Sequence, residues 1–148
     1  MRAANWKDYE LIDTGSGERL ERWGDILLIR PDPQIIWKSE KKDPRWRYAH
    51  ARYKRSSTGG GKWEVYKKLP DVWKITRGDL TFRLKPLGFT HTGVFPAQAV
   101  HWDSTAARIR AATEKNPEPD IKILHSFGST AAATPPCMAP GPTVPHVD

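Results

Sequence analysis

Residues 80–102 read LTFRLKPLGFTHTGVFPAQAVHW, and the chain is organised around them. Leu80, Phe82 and Leu84 alternate with Thr81, Arg83 and Lys85, which predicts a strand with one apolar and one polar face. Pro86 and Gly88 stop that strand. The next residues, Phe89-Thr90-His91-Thr92-Gly93-Val94-Phe95, bring hydroxyls, an imidazole and a glycine into one loop. Gly93 permits a positive φ or a close backbone approach there. Pro96 suits a first helical turn, where its missing N–H has no partner to lose. Ala99, Trp102, Ala106 and Ile109 then recur at helical spacing, with Arg108, Arg110, Glu114 and Lys115 on other faces. Asn116-Pro117 ends the helix. Strand, polar loop and helix in succession can hold a ligand or simply join two domains, and spacing alone leaves both open.

Upstream, Tyr9-Glu10-Leu11-Ile12 reads as a short strand closed by the turn residues Asp13-Thr14-Gly15-Ser16-Gly17. Residues 19–23 and 26–30 are two short runs joined by Gly24-Asp25, a pair that fits a tight β-hairpin. Pro31-Asp32-Pro33 breaks the ladder, because proline has no N–H to donate. Ile35-Ile36-Trp37 is a brief apolar return, and Glu18 with Glu21 reads as an ordinary solvated face.

A basic block follows. Residues 38–74 hold twelve Lys and Arg against four Asp and Glu, a local balance of +8 that exceeds the +7 of the whole chain. The positive field therefore belongs to this window. Trp46, Tyr48, Tyr53, Trp63, Tyr66 and Trp73 are interleaved with the cations. Residues 45–55 and 62–68 are expected to be two strands joined by Ser56-Ser57-Thr58-Gly59-Gly60-Gly61. The loop lacks the Gly-Lys-Ser/Thr ending of a phosphate cradle, since Lys62 precedes Trp63. Cations neutralise phosphates and aromatics stack on unpaired bases, so Arg45, Arg47, Arg52, Lys54, Arg55, Lys62, Lys67 and Lys68 are the candidate RNA contacts. The competing reading is a solvated hairpin with its aromatics packed inward.

Composition narrows the classes. A pI of about 9.7 favours polyanionic partners. The single cysteine, Cys137, cannot form an internal disulfide, which fits a reducing cytoplasm. No apolar run approaches membrane-spanning length, and MRAANWKDYE lacks the apolar run expected of a signal peptide. The five histidines and Cys137 show no metal-ligand spacing, and Ser126 and Ser129 have no nucleophile-elbow context.

Past Asn116-Pro117-Glu118-Pro119, Ile121, Ile123 and Leu124 form a short apolar run expected of a buried parallel strand, with a glycine-bearing turn after it. Five prolines between Pro135 and Pro145 oppose a helix beyond that turn.

The string GFTHTGVFPAQAVHW resembles the segment ahead of the catalytic domain in bacterial S-adenosylmethionine (SAM)-dependent methyltransferases. The group in question is related to the large-subunit ribosomal RNA cytosine-C5 methyltransferases. Its Gly-x-x-Thr-Gly-x-Phe-x-(Asp/Glu)-Gln pattern is matched by Gly88, Thr92, Gly93, Phe95 and Gln98 with one extra residue, and Ala97 stands where an acid is usual. Residues 122–134 resemble the family's Val-Leu-Asn-Leu-Phe-x-Tyr-Thr-Gly-Gly-x-Thr motif at Phe127, Thr130 and Thr134. Ser129, Ala131 and Ala132 depart from it. Val144-Pro145-His146-Val147-Asp148 resembles a second strand whose terminal acid holds the cofactor ribose. Residues 9–86 read together as a mainly antiparallel β domain, and with the resemblance the expectation is an α+β chain: a β-rich domain over 1–96, a linking helix over 97–117, and the truncated start of a Rossmann-like SAM-binding domain over 118–148. It implies SAM as cofactor, bordered by Thr92, Gly93, Phe95, Gln98, Phe127, Gly128, Thr130 and Asp148, and RNA, ribosomal in the family, as partner. It places no catalytic residue in this chain, because the family's catalytic cysteine lies further on and Cys137 does not match it. The expectation is thus the N-terminal portion of an RNA methyltransferase, inactive as a fragment. The alternative is a stand-alone RNA-binding β module.

Overall fold

The computed structural model describes residues 6–85, 92–116, 125–126 and 146–147. The chain divides into two units, Trp6–Gly93 and one containing Val94–Asp148. Its architecture is mixed α+β, with mostly antiparallel strands and one α-helix among the described residues.

In the first unit, β1 (Tyr9–Gly15), β2 (Glu18–Trp23), β3 (Ile26–Pro31), β4 (Ala51–Arg55) and β5 (Gly61–Val65) form one sheet in that order. Neighbours are antiparallel except β3 and β4, which pair in parallel at Leu28↔Ala51 and Ile29↔Arg52. The Gly24-Asp25 hairpin forms as the sequence indicates, with Gly24 at φ 65°. The β1 turn is shorter than expected. Asp13, Thr14 and Gly15 belong to the strand, and only Ser16 (φ 52°) and Gly17 (φ 77°) form the loop. Pairing with β2 draws these turn-prone residues into the ladder, and the register shift between Leu11 and Asp13 takes up Ile12 as a bulge. Gly15 is required there, since a Cβ would lie 2.1 Å from the Cβ of Ser39.

The apolar return at 35–37 is not a strand. Its carbonyls cap the β1–β2 turn, with Ser16 N donating to Trp37 O (2.8 Å) and Gly17 N to Ile35 O (3.1 Å). The strand expected from residue 45 also starts later. Pro44–Tyr48 is a 3₁₀ turn, because Asp43 Oδ1 accepts from Arg45 N (2.9 Å) and Pro44 presets the first φ.

The two faces of the sheet differ. On one, Leu20, Ile29 and Ala49 pack with Ile12 and Trp46. On the other, Trp23 is fully buried with Tyr9 edge-on at 4.7 Å. Glu21 lies on this second face at 0% exposure and Glu18 is buried on the first, so the solvated-face reading of this pair is wrong. Three residues apart on a strand, they point to opposite sides. Glu21 accepts two hydrogen bonds from the equally buried Arg30 (2.6 and 2.8 Å) and one from Tyr9 Oη (2.9 Å).

β6 (Trp73–Arg77) and β7 (Leu80–Leu84) form a separate antiparallel hairpin with Ile75 opposite Phe82 and Trp73 opposite Leu84. The predicted alternation holds: Phe82 and Leu84 are buried and Thr81 and Arg83 exposed. Trp6 contacts the Phe82 ring (5.8 Å), and Asp8 Oδ2 accepts from Thr76 N (2.8 Å) and Thr76 Oγ1 (2.6 Å). Those bonds, the side-chain one foremost, hold the Asp8 carboxyl below its usual pKa. Its folded-state pKa is depressed, so its contribution is present above the usual carboxylate range and lost as pH falls through the folded value. Asp8→Ala removes both acceptors. Amide exchange at Thr76 then speeds up at neutral pH, by an amount corresponding to about 1 kcal/mol or less at this exposed site; unchanged exchange removes Asp8 as the tether.

In the second unit, a 3₁₀ turn at Pro96–Gln98 runs into α1 (Ala99–Lys115), which buries Ala99, Trp102 and Ile109 as the spacing predicts. Asn116 ends it, donating its N–H to Ala112 O (3.0 Å). Further on, β8 (His125–Ser126) and β9 (His146–Val147) pair in parallel. The strand expected at 121–124 lies outside the described residues. No described helix is long and apolar enough to cross a membrane.

Candidate functional site

The parallel β3–β4 pairing and the β4–β5 hairpin set the geometry of the basic block. Ala51 and Tyr53 turn to the buried face, so Arg52 and Lys54 point the other way, and the register aligns Arg52 with Glu64 and Lys54 with Lys62. Four of the eight candidate RNA contacts are engaged within the protein. Arg45 forks onto Asp43 (3.0 and 2.8 Å) and lies 3.5 Å from Glu10. Its hydrogen bonds hold the Asp43 carboxyl below the usual range. Arg52 Nε donates to Glu18 Oε1 (2.7 Å), and Lys41 pairs with the other oxygen of that carboxylate. Burial opposes the charge on Arg52, and the hydrogen bond and charge of Glu18 outweigh it, leaving its pKa raised. Lys54 pairs with Glu64 (3.0 Å). Lys67 donates to Tyr48 O (3.1 Å) and lies over the Tyr48 ring.

The remaining four, Arg47, Arg55, Lys62 and Lys68, are exposed and make no ion pair among the described residues. Of the eight candidates, they are the ones available to an outside anion. Each engaged cation carries an intramolecular carboxylate or carbonyl that a phosphate would have to displace.

The aromatics divide as sharply. Trp46 donates to Asp13 Oδ2 (2.7 Å) within the apolar cluster, Tyr53 is buried edge-on to Trp63 (5.3 Å), and Trp73 is buried. Tyr48 and Tyr66 are 59% and 52% exposed. A hollow of about 630 Å³ beside the block is lined by Ile12, Asp13, Ser39, Glu40, Lys42 and Asp43. Three carboxylates to one lysine make it a poor seat for a polyanion, which leaves the open face.

His50 was missed by sequence reasoning. Its backbone N–H donates to Leu27 O (2.8 Å), its Nδ1 accepts from Leu27 N (3.1 Å), and its carbonyl accepts from Tyr66 and Lys67. Burial, then Lys67, keeps its pKa below the usual 6.5, consistent with a neutral acceptor. No local pattern marks a histidine that joins strands this far apart.

Of the cofactor candidates, Thr92 is buried and its Oγ1 has no hydrogen-bond partner among the described residues. Gly93 has φ 95°, a left-handed value that favours glycine, with open space where a Cβ would point. Phe95 and Gln98 are exposed at the start of the helical segment. Phe127, Gly128, Thr130 and Asp148, with His91 and Cys137, lie outside the described residues. Among the described residues no group of three or more His, Cys, Asp or Glu could hold a metal ion.

A crystal structure of the SAM-dependent methyltransferase from Agrobacterium tumefaciens matches 97% of the chain at 33% identity and TM-score 0.83. The structural neighbours are SAM-dependent methyltransferases. A putative SAM-dependent methyltransferase from Streptococcus mutans matches 98% of the chain at 13% identity and TM-score 0.63, and so does a putative methyltransferase solved with SAH. At that identity the last two speak to fold alone. The chain spans less than half of each neighbour: 44% of the Agrobacterium protein and 39% of the others. No protein-family model and no curated protein matches the chain.

Proposed function

We propose that this chain is the N-terminal part of a SAM-dependent methyltransferase that works on RNA in the cytoplasm, with cytosine C5 of ribosomal RNA as the target. The observation that carries the reading is the 33% identity to the Agrobacterium methyltransferase across nearly all of the chain. The RNA part is supported by four of the eight candidate cations, Arg47, Arg55, Lys62 and Lys68, which are exposed while the other four are engaged within the protein. On this reading residues 92–98 contribute to the edge of the cofactor site. The buried hydroxyl of Thr92 suits a polar group of the ligand, and Gly93 supplies the backbone turn. SAM, when bound, supplies an electrophilic methyl group. The residues described here bind and orient; none is assigned to the chemical step.

Two titrations test it. RNA affinity of the full chain should fall as salt rises, with a log–log slope of about −3 for four phosphates neutralised on a single strand. A salt-independent affinity sinks the RNA reading. Calorimetry with SAH should show binding that Thr92→Val weakens; absence of heat removes the cofactor site from this chain. A stand-alone RNA-binding β unit is the second reading, favoured by all eight candidate cations lying within Trp6–Gly93. It gives the salt slope without the SAH heat.

A further inference from the structure

We propose that Tyr48 and Tyr66, together with Lys67, form a stacking platform for unpaired bases of single-stranded RNA. The inference rests on the RNA-binding reading above and says which chemistry of RNA is read. Of the six aromatics interleaved with the basic block, four are occupied by the protein itself, Trp46, Tyr53, Trp63 and Trp73, as described above. Tyr48 and Tyr66 are the two that leave more than half of their surface to solvent.

They are exposed, yet held. Tyr66 Oη donates to Glu64 Oε2 (2.6 Å) and meets the Arg52 side chain, and its backbone N–H donates to His50 O (2.8 Å). The next residue, Lys67, donates its N–H to the same carbonyl (3.1 Å) and reaches Tyr48, with Nζ 3.1 Å from Tyr48 O and 5.4 Å from the ring centre. One lysine therefore couples the 3₁₀ turn carrying Tyr48 to the strand end carrying Tyr66. The polar tip of Tyr66 is pinned and its ring is not covered, so little side-chain freedom is lost when a base lands on it.

The surroundings select the occupant. Arg47 and Lys68, next in sequence to Tyr48 and Lys67, are exposed cations, and Lys62 shares the strand face that leads to Tyr66. An apolar protein segment would have to desolvate these charges, whereas a nucleic-acid strand brings phosphates to them and bases to the rings. Paired A-form RNA hides its base faces within the stack, so the platform favours unpaired strands.

The test uses the full chain with a short fluorescein-labelled oligouridine and a duplex RNA of similar length, read by anisotropy. Tyr48→Ala and Tyr66→Ala should each weaken single-strand binding about tenfold. Duplex affinity and the salt slope should stay unchanged; Tyr48→Phe should bind like the parent, and Tyr66→Phe, which keeps the ring but loses the bond to Glu64, should fall between the parent and Tyr66→Ala. If the parent binds neither RNA, the RNA reading beneath the platform fails. If it binds RNA and the alanine variants bind oligouridine as tightly as the parent, the platform is wrong and the RNA reading stands; a face meant for a protein partner gives that result. Equal losses on oligouridine and duplex also overturn the platform, because they report charge or folding rather than stacking.

Discussion

Glu21→Leu destabilises the chain by about 3–5 kcal/mol, the cost of taking the carboxylate from a buried ion pair. The Arg30 side chain is 4% exposed and gives Glu21 two hydrogen bonds, so removing the carboxylate takes both from a buried guanidinium beside the Trp23 ring. It also takes away the acceptor of the buried Tyr9 hydroxyl. Urea unfolding followed by tryptophan fluorescence measures the loss. Glu21→Leu combined with Arg30→Met should recover most of it, since a well-packed apolar pair can equal or exceed a buried ion pair. A single variant costing less than about 1 kcal/mol, or a double variant no better than the single, means the pair is not what the face depends on.

The same cluster sets a pH dependence. Burial, and then the Glu21 charge, push the Tyr9 hydroxyl above its usual 10.0. A raised folded-state pKa gives stability that is complete below the unfolded value and lost as pH rises beyond it. Unfolding midpoints should therefore fall above about pH 10, and Tyr9→Phe should flatten that alkaline limb.

On the RNA reading, alanine at Arg47, Arg55, Lys62 and Lys68 together lowers affinity for single-stranded RNA on the order of a hundredfold near physiological salt. Each phosphate neutralised contributes roughly 0.7 to the salt slope, so the log–log slope should flatten by about 3. The converse set behaves differently. Arg52→Ala leaves the Glu18 carboxylate, 12% exposed, with Lys41 as its remaining ion pair, and shows up in stability more than in the slope. Lys54→Ala gives up a surface pair with Glu64, worth little in either measurement. If Arg52 and Lys54 carry the slope and the four exposed cations do not, the division of the basic block drawn here is wrong.

That division shows where the sequence stops being informative. Counting charges locates the positive window at 38–74, but Arg45 and Arg47 look alike in the string. One forks onto Asp43 and the other faces solvent. Glu18 and Glu21 mislead for a related reason. A carboxylate in a polar-looking strand reads as exposed, and only a sheet covered on both faces, with Arg30 and Arg52 supplied from β3 and β4, makes burial affordable. The two-residue loop at Gly24-Asp25 does place Glu21 opposite Leu28 and one diagonal step from Arg30, so the register offered a clue.

By itself the sequence determined the features that a few neighbouring residues control. These are the hairpin at Gly24-Asp25, the alternating strand ending at Leu84, the helix begun by Pro96 and closed at Asn116, and the basic character of the window between them. Turn preference, side-chain periodicity and proline geometry act within one or two turns of chain, so they can be read without a partner. Tertiary structure alone decided that β4 joins β3 in parallel, that Asp13 to Gly15 enter a strand, and that two tyrosines of six aromatics stay in water. Each outcome depends on which distant backbone or side chain covers the residue, and that contact free energy outweighs the local preference.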